Sequence, residues 1–138
     1  MKVSFDFDST LSEEWVENYA KKLVNDGHEV WIVTSRLGNG REPNPNWNDD
    51  LYECASRVGI DKEHIFFCSM ANKSEFLKDK GFLWHLDDDV VELSFIRTDT
   101  NVFPIYHNRG NGWRLYCDDL IRIWGLYCDD LIRTLTNA

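Results

Sequence analysis

Residues 2–10 read KVSFDFDST. A short β-prone run from Lys2 to Asp6 gives way to two acids and two hydroxyls. From about Ser12 to Asn25 the apolar residues Trp15, Val16, Tyr19, Ala20, Leu23 and Val24 then recur at helical spacing. Glu13, Glu14 and Glu17 fall early in that stretch and Lys21 and Lys22 late, which suits a helix dipole, and Gly27 is placed to stop it. Strand, polar turn, helix is the opening of a βαβ unit.

The pattern repeats downstream. EVWIVT, residues 29–34, is apolar almost throughout, as a strand covered on both faces should be. RLGNGREPNPNWNDD is too rich in Gly, Pro and Asn for a regular element. A helix is expected from about Asp49 to Val58, ending at Gly59. A strand is expected at His64–Ser69, a short helix at Lys73–Lys80 closed by Gly81, and a strand at Phe82–Leu86 running into three aspartates. Val90–Arg97 should be helical with Asp89 as its N-cap, Asn101–Tyr106 a fifth strand, and the chain from Trp113 onward helical. Strands alternating with helices predict an α/β fold: a three-layer, Rossmann-like parallel sheet of about five strands with helices on both faces. No stretch reads as a linker, so residues 1–138 are expected to form one domain.

Composition narrows the function. With 43% hydrophobic and 28% charged residues the chain falls in the globular class, not the disordered one. No apolar run approaches the roughly 20 residues of a membrane span. The first ten residues carry two acids where a secretory leader would be apolar. A net charge of -9 with no Lys/Arg cluster argues against long nucleic acids as partners, but not against a small phosphate ester. Cysteines 54, 68, 117 and 128 form no CxxC pair, so free thiols in a reducing, cytoplasmic setting are expected rather than zinc.

Residues 113–123, WRLYCDDLIRI, and 124–134, WGLYCDDLIRT, agree at nine of eleven positions. Eleven residues is close to three helical turns, so both copies would present one face in register. Two readings follow: a terminal helix that grew by three turns, or a second copy that packs on a partner subunit as a homo-oligomer contact. The recurring acids belong to the repeat and need no metal.

The chemistry collects where parallel sheets bind ligands, at the carboxyl ends of the strands. Strand one ends in Asp6-Phe7-Asp8-Ser9-Thr10, strand two in Thr34-Ser35-Arg36, and strand four in Asp87-Asp88-Asp89, while Lys73 opens a helix after strand three. In an extended chain Asp6 and Asp8 would point to one face, where two carboxylates need a counter-ion. Magnesium, which prefers oxygen ligands, would supply it, with Asp87 and Asp88 completing the site. Lys73 faces the strand ends better than Lys78 or Lys80, which sit more than a turn further on. His85, mid-strand, reads as a core histidine, and His28, His64 and His107 show no paired arrangement.

These residues resemble a known family. DFDST resembles the DxDxT signature of the haloacid dehalogenase superfamily, and VWIVTS is similar to its second motif. Lys73 in ANKSEFLKDKG looks like its third-motif lysine, and HLDDD is similar to its fourth motif. The four stand in the family's order over residues 2–106. The resemblance implies that Asp6 attacks phosphorus and forms an aspartyl-phosphate, and that Asp8 protonates the leaving oxygen and then activates water. It further implies that Thr34, or Ser35 in its place, hydrogen-bonds a phosphoryl oxygen and that Lys73 neutralises its charge. Magnesium is then held by Asp6, the carbonyl of Asp8, Asp88 and nearby Asp87. An aspartate at position 8 points to phosphatases rather than dehalogenases.

Neither gap between motifs is long enough for the cap domain that many family members carry, so an open site is expected. Thr10, Ser35, Arg36 and Arg41 are candidate substrate contacts, Trp47 a candidate base-stacking residue, and loop 36–48 a candidate lid; Arg109 is a second rim candidate. The expected activity is hydrolysis of a nucleotide or other small phosphorylated metabolite. The alternatives are a polynucleotide end phosphatase and a non-catalytic module that binds phosphate and magnesium.

Overall fold

The computed structural model of the protein describes residues 1–108 and 110–137. Five strands, β1 (Lys2–Phe5), β2 (Glu29–Thr34), β3 (Ile65–Phe67), β4 (Trp84–Asp87) and β5 (Phe103–Tyr106), alternate with helices. The helices are α1 (Glu14–Asn25), α2 (Asp49–Val58), α3 (Lys73–Leu77), α4 (Val90–Asp99) and α5 (Gly112–Thr136). All strand pairs are parallel and their order is β3-β2-β1-β4-β5. The fold is therefore the α/β, Rossmann-like three-layer sandwich expected from the alternation, without an inserted cap.

Alternation along the strands sorts side chains between the layers. Val3 and Phe5 of β1, Val30 and Ile32 of β2, and Trp84 and Leu86 of β4 enter one core with Val16, Tyr19 and Leu23 of α1 and Leu51 and Cys54 of α2. Trp113 and Cys117 of α5 close that core. Val33 of β2 faces the other way, toward Leu77, Leu93 and Ile96 of α3 and α4. Phe5 meets Trp84 edge-on at 5.3 Å, tying the two central strands.

Several boundaries differ from the sequence reading. α3 stops at Leu77 rather than Lys80, because Lys78 leaves the helix at ψ 132 and Asp79 adopts a left-handed φ of 59°. β4 begins at Trp84, two residues late, although the Leu83 amide already donates to the Lys2 carbonyl at the start of β1. β3 spans only three residues, because as an edge strand it pairs only with Ile32–Thr34. Gly59 ends α2 in the left-handed conformation (φ 93°), as its place in the sequence suggests. Asp89 caps α4, its carboxylate accepting from the amides of Val91 and Glu92. Among the described residues no helix is long and apolar enough to cross a membrane. All four cysteines are free.

Candidate functional site

The strand order places β1 at the centre, with β2 on one side and β4 on the other. The chain winds outward to β3 and then crosses back to β4, so the crevice between β1 and β4 is the switch point where open sheets bind ligands. Asp6 and Asp87 end the two strands that flank it. The Asp6 amide donates to the Leu86 carbonyl at 2.9 Å, carrying the pairing one residue past β1. The chain then makes a wide turn over Phe7–Leu11, closed by Leu11 N–H to Asp6 C=O (3.1 Å) and Ser12 N–H to Phe7 C=O (3.0 Å), with Ser9 at φ 59°. Burial of Phe7, Thr10 and Leu11 anchors the turn.

Lys73 is the hub of the crevice. It is the first residue of α3, 2% exposed, and its Nζ donates to Asp6 Oδ1 at 2.7 Å and to Asp87 Oδ2 at 2.6 Å. Its backbone N–H donates to Glu92 Oε2, which fixes the helix start against α4. The competing Lys80 instead donates to the Phe76 carbonyl. Burial alone would push the Lys73 ammonium down, but Asp6 and Asp87 outweigh it and hold it above its ordinary value. Asp87 would also be raised by burial; His85 and then Lys73 overturn this and keep it ionised, below the usual carboxylate range. Asp6 goes the other way: burial, then the Asp87 charge, push it well above the usual range, and Lys73 only partly opposes them.

His85 is more than a core histidine. Its Nε2 lies 2.8 Å from Asp87 Oδ2 and its Nδ1 2.8 Å from Ser4 Oγ. An ionised carboxylate can only accept, so Nε2 carries the proton and Nδ1 accepts from the Ser4 hydroxyl. Burial pushes the ring's pKa down, which keeps it neutral in this relay. Ser4 and His85 are register partners on β1 and β4, so Ser4, His85 and Asp87 line up across the strands. The Asp89 amide donates to Asp87 Oδ1 at 3.0 Å. A histidine two residues before an aspartate on one strand shares its face, a signal visible in the sequence.

Asp6, Asp87 and Asp88 each bring a carboxylate oxygen within 4.8 Å of the others. Two are buried and Asp88 faces solvent. Three oxygen donors without sulfur or nitrogen fit a hard divalent cation of the magnesium type. Asp6 and Asp87 share one ammonium, so this corner keeps a negative charge that a cation would offset. An open cleft of about 460 Å³ lies over the three acids, lined also by Asp8, Ser9, Ser35, Lys73, Asp89 and Val90.

The remaining expected residues divide. The Asp8 carboxylate lines the same cleft but does not join the Asp6–Asp87–Asp88 cluster, contrary to the extended-chain expectation: it is turned to Arg36, whose Nε and Nη2 donate to it at 3.0 and 2.8 Å. Thr10 is fully buried and donates to Asp6 Oδ2 at 3.2 Å, so it supports Asp6 rather than touching a substrate. Ser35 lines the cleft. Thr34 is 1% exposed and its Oγ1 accepts from the Arg36 amide, leaving its own hydroxyl proton to donate.

Arg36 also donates to both Asp50 oxygens, at 2.7 and 2.9 Å, and stacks over Phe7. Asp50, on α2, was not legible as a site residue, because its link to Asp8 runs through a side chain 14 positions away. Arg41 and Trp47 are exposed on loop 36–48 and do not line the cleft. The loop's base is tied down: Asn48 Nδ2 donates to the Leu37 carbonyl, and a Cβ on Gly38 would stand 2.2 Å from Phe67 Cγ. Arg109 lies outside the described residues. His107, expected to be unpaired, meets Glu13 Oε2 through Nε2 at 2.8 Å. Comparison of the chain with protein-family models, curated proteins and solved structures finds no match.

Proposed function

We propose that this protein is a magnesium-dependent phosphomonoesterase of the haloacid dehalogenase type, acting on a nucleotide or other small phosphorylated metabolite. The observation that carries the reading is the buried Asp6–Lys73–Asp87 cluster, with Asp88 beside it at the mouth of the β1–β4 crevice. A lysine held between two carboxylates is a costly arrangement for a fold to keep unless both charges are used.

On this reading an Asp6 oxygen attacks phosphorus as the bond to the leaving oxygen breaks, and Asp8 gives that oxygen its proton. Asp8 then takes a proton from water as the water oxygen attacks phosphorus, which breaks the Asp6–phosphorus bond and frees phosphate. Thr10 and Lys73 hold the Asp6 carboxylate for attack, one on each oxygen. Lys73 and Ser35, which line the cleft, meet the phosphoryl oxygens on this reading, and Thr34, buried with a hydroxyl proton left to donate, supports them. Asp6, Asp87 and Asp88, with the Asp8 carbonyl, would hold a divalent cation, which would offset the charge that collects on the transferring group. The open cleft and the absence of a cap suit a substrate whose remainder projects into solvent.

The test is phosphate release from nucleotides, sugar phosphates, 3′- and 5′-phosphorylated oligonucleotides and an aryl phosphate, with magnesium and with chelator. Metal-dependent turnover that Asp6→Asn abolishes supports the mechanism. A marked preference for oligonucleotide ends would move the assignment to a polynucleotide end phosphatase. A folded, magnesium-binding protein that turns over none of these would favour the non-catalytic module.

A further inference from the structure

The C-terminal repeat separates one docking surface from two segments that match it. The first copy, 113–123, packs in a seat built by α1 and the end of β5. Trp113 meets Trp15 at 5.5 Å, Tyr19 at 5.2 Å and His107 at 5.8 Å between ring centroids. Cys117 is fully buried beside it, Leu120 and Ile121 flank it, and Asp118 accepts the Tyr19 hydroxyl at 2.6 Å. The second copy keeps every one of these residues: Trp124, Cys128, Asp129, Leu131 and Ile132. Eleven residues rotate a helix by three turns and about 20°, so they form the same face, about 16 Å further along the axis. There the body of the domain has ended. Trp124 is 38% exposed, Leu131 47% and Ile132 60%, against 2% for Trp113.

The copies differ at two positions, and at one of them the first copy makes a contact that the second cannot. Arg114 lies over the Tyr19 ring at 5.0 Å, and its counterpart is Gly125. The first copy therefore holds a cation–π contact that the second lacks, and the rest of the fit is shared. His107, Asn108, Gly110 and Asn111 lie between β5 and α5, a short polar and glycine-containing connection of the kind exchanged elements swing on.

We propose that residues 124–132 are a second plug for the Trp15–Tyr19–His107 seat, and that two copies of this chain exchange their α5 helices reciprocally, each inserting its second copy into the other's seat. In the exchanged dimer Trp124 takes the place of Trp113, Cys128 that of Cys117, and Asp129 accepts the Tyr19 hydroxyl. The proposal does not depend on the catalytic reading.

The test combines mass in solution with thiol labelling, at salt sufficient to screen the net charge of -9. Arg114→Gly, an exposed substitution, removes the first copy's advantage and is expected to raise the dimer fraction several-fold at fixed concentration, on the order of 2- to 5-fold. In that dimer Cys128 becomes protected and Cys117 reactive, the reverse of the monomer. Trp124→Ala, alone or added to Arg114→Gly, should return the protein to monomer with an unchanged melting temperature. Arg114→Gly remaining monomeric at the highest attainable concentration overturns the proposal. So does a dimer in which Cys117 stays protected, which would be helix pairing without exchange, or a dimer that survives Trp124→Ala.

Discussion

Asp50 stands outside the cleft, yet it holds the guanidinium that holds Asp8. Asp50→Asn keeps the size of the side chain but removes its charge and one of the two acceptors that Arg36 uses. On the phosphatase reading kcat should fall on the order of 10-fold, as for other groups that orient a reacting side chain through a partner. The melting temperature should stay unchanged and the pH profile of kcat should shift; a variant that only loses stability would show the opposite. Lys73→Met is the harsher change, because it leaves two buried carboxylates without their cation. It should cost about 3 kcal/mol in chemical denaturation and abolish turnover. At this scale the sequence revealed much of the site. Asp6, Lys73, Asp87 and Asp88 are brought together as their places at strand ends and a helix start suggested. Asp8 escaped the argument, because side-chain alternation holds only while the chain stays extended and here it enters its turn at Phe7, between the two acids.

At the scale of elements, β2 and α2 were legible to the residue, since an uninterrupted apolar run and a terminal glycine leave little choice of boundary. Boundaries set by a neighbour were not: β3 is as long as its pairing with β2 allows, and no local pattern states that length. The seating of α5 offers a pH test. Burial, then the hydrogen bond to Asp118, raise the Tyr19 pKa above its ordinary value. A raised pKa contributes stability that is complete below the unfolded value, about 10 for tyrosine, and is lost as pH climbs beyond it. Wild type should therefore lose stability above that pH more steeply than Tyr19→Phe. At neutral pH the variant should be less stable by about 1 kcal/mol.

For the whole molecule, the alternation of strands and helices foretold the layers, while the order β3-β2-β1-β4-β5 came only with the structure. That order puts the acids of β1 and β4 side by side, and it predicts a thermal signature. Magnesium should raise the melting temperature progressively with concentration, by mass action on the folded state, and Asp88→Asn should blunt the rise. In chelator, Asp6→Asn should be more stable than wild type, since it removes a charge that burial, and then repulsion from Asp87, disfavour at this position. Equal melting temperatures for the two proteins in chelator would count against strain at this position.

The ammonium of Lys73 has a further consequence. Because the crevice carries its own internal cation, the acids are held in place by the polypeptide itself. On the phosphatase reading, depletion of divalent ions should then silence the protein without unfolding it, and an idle, protease-resistant pool would resume work as soon as the ion returns.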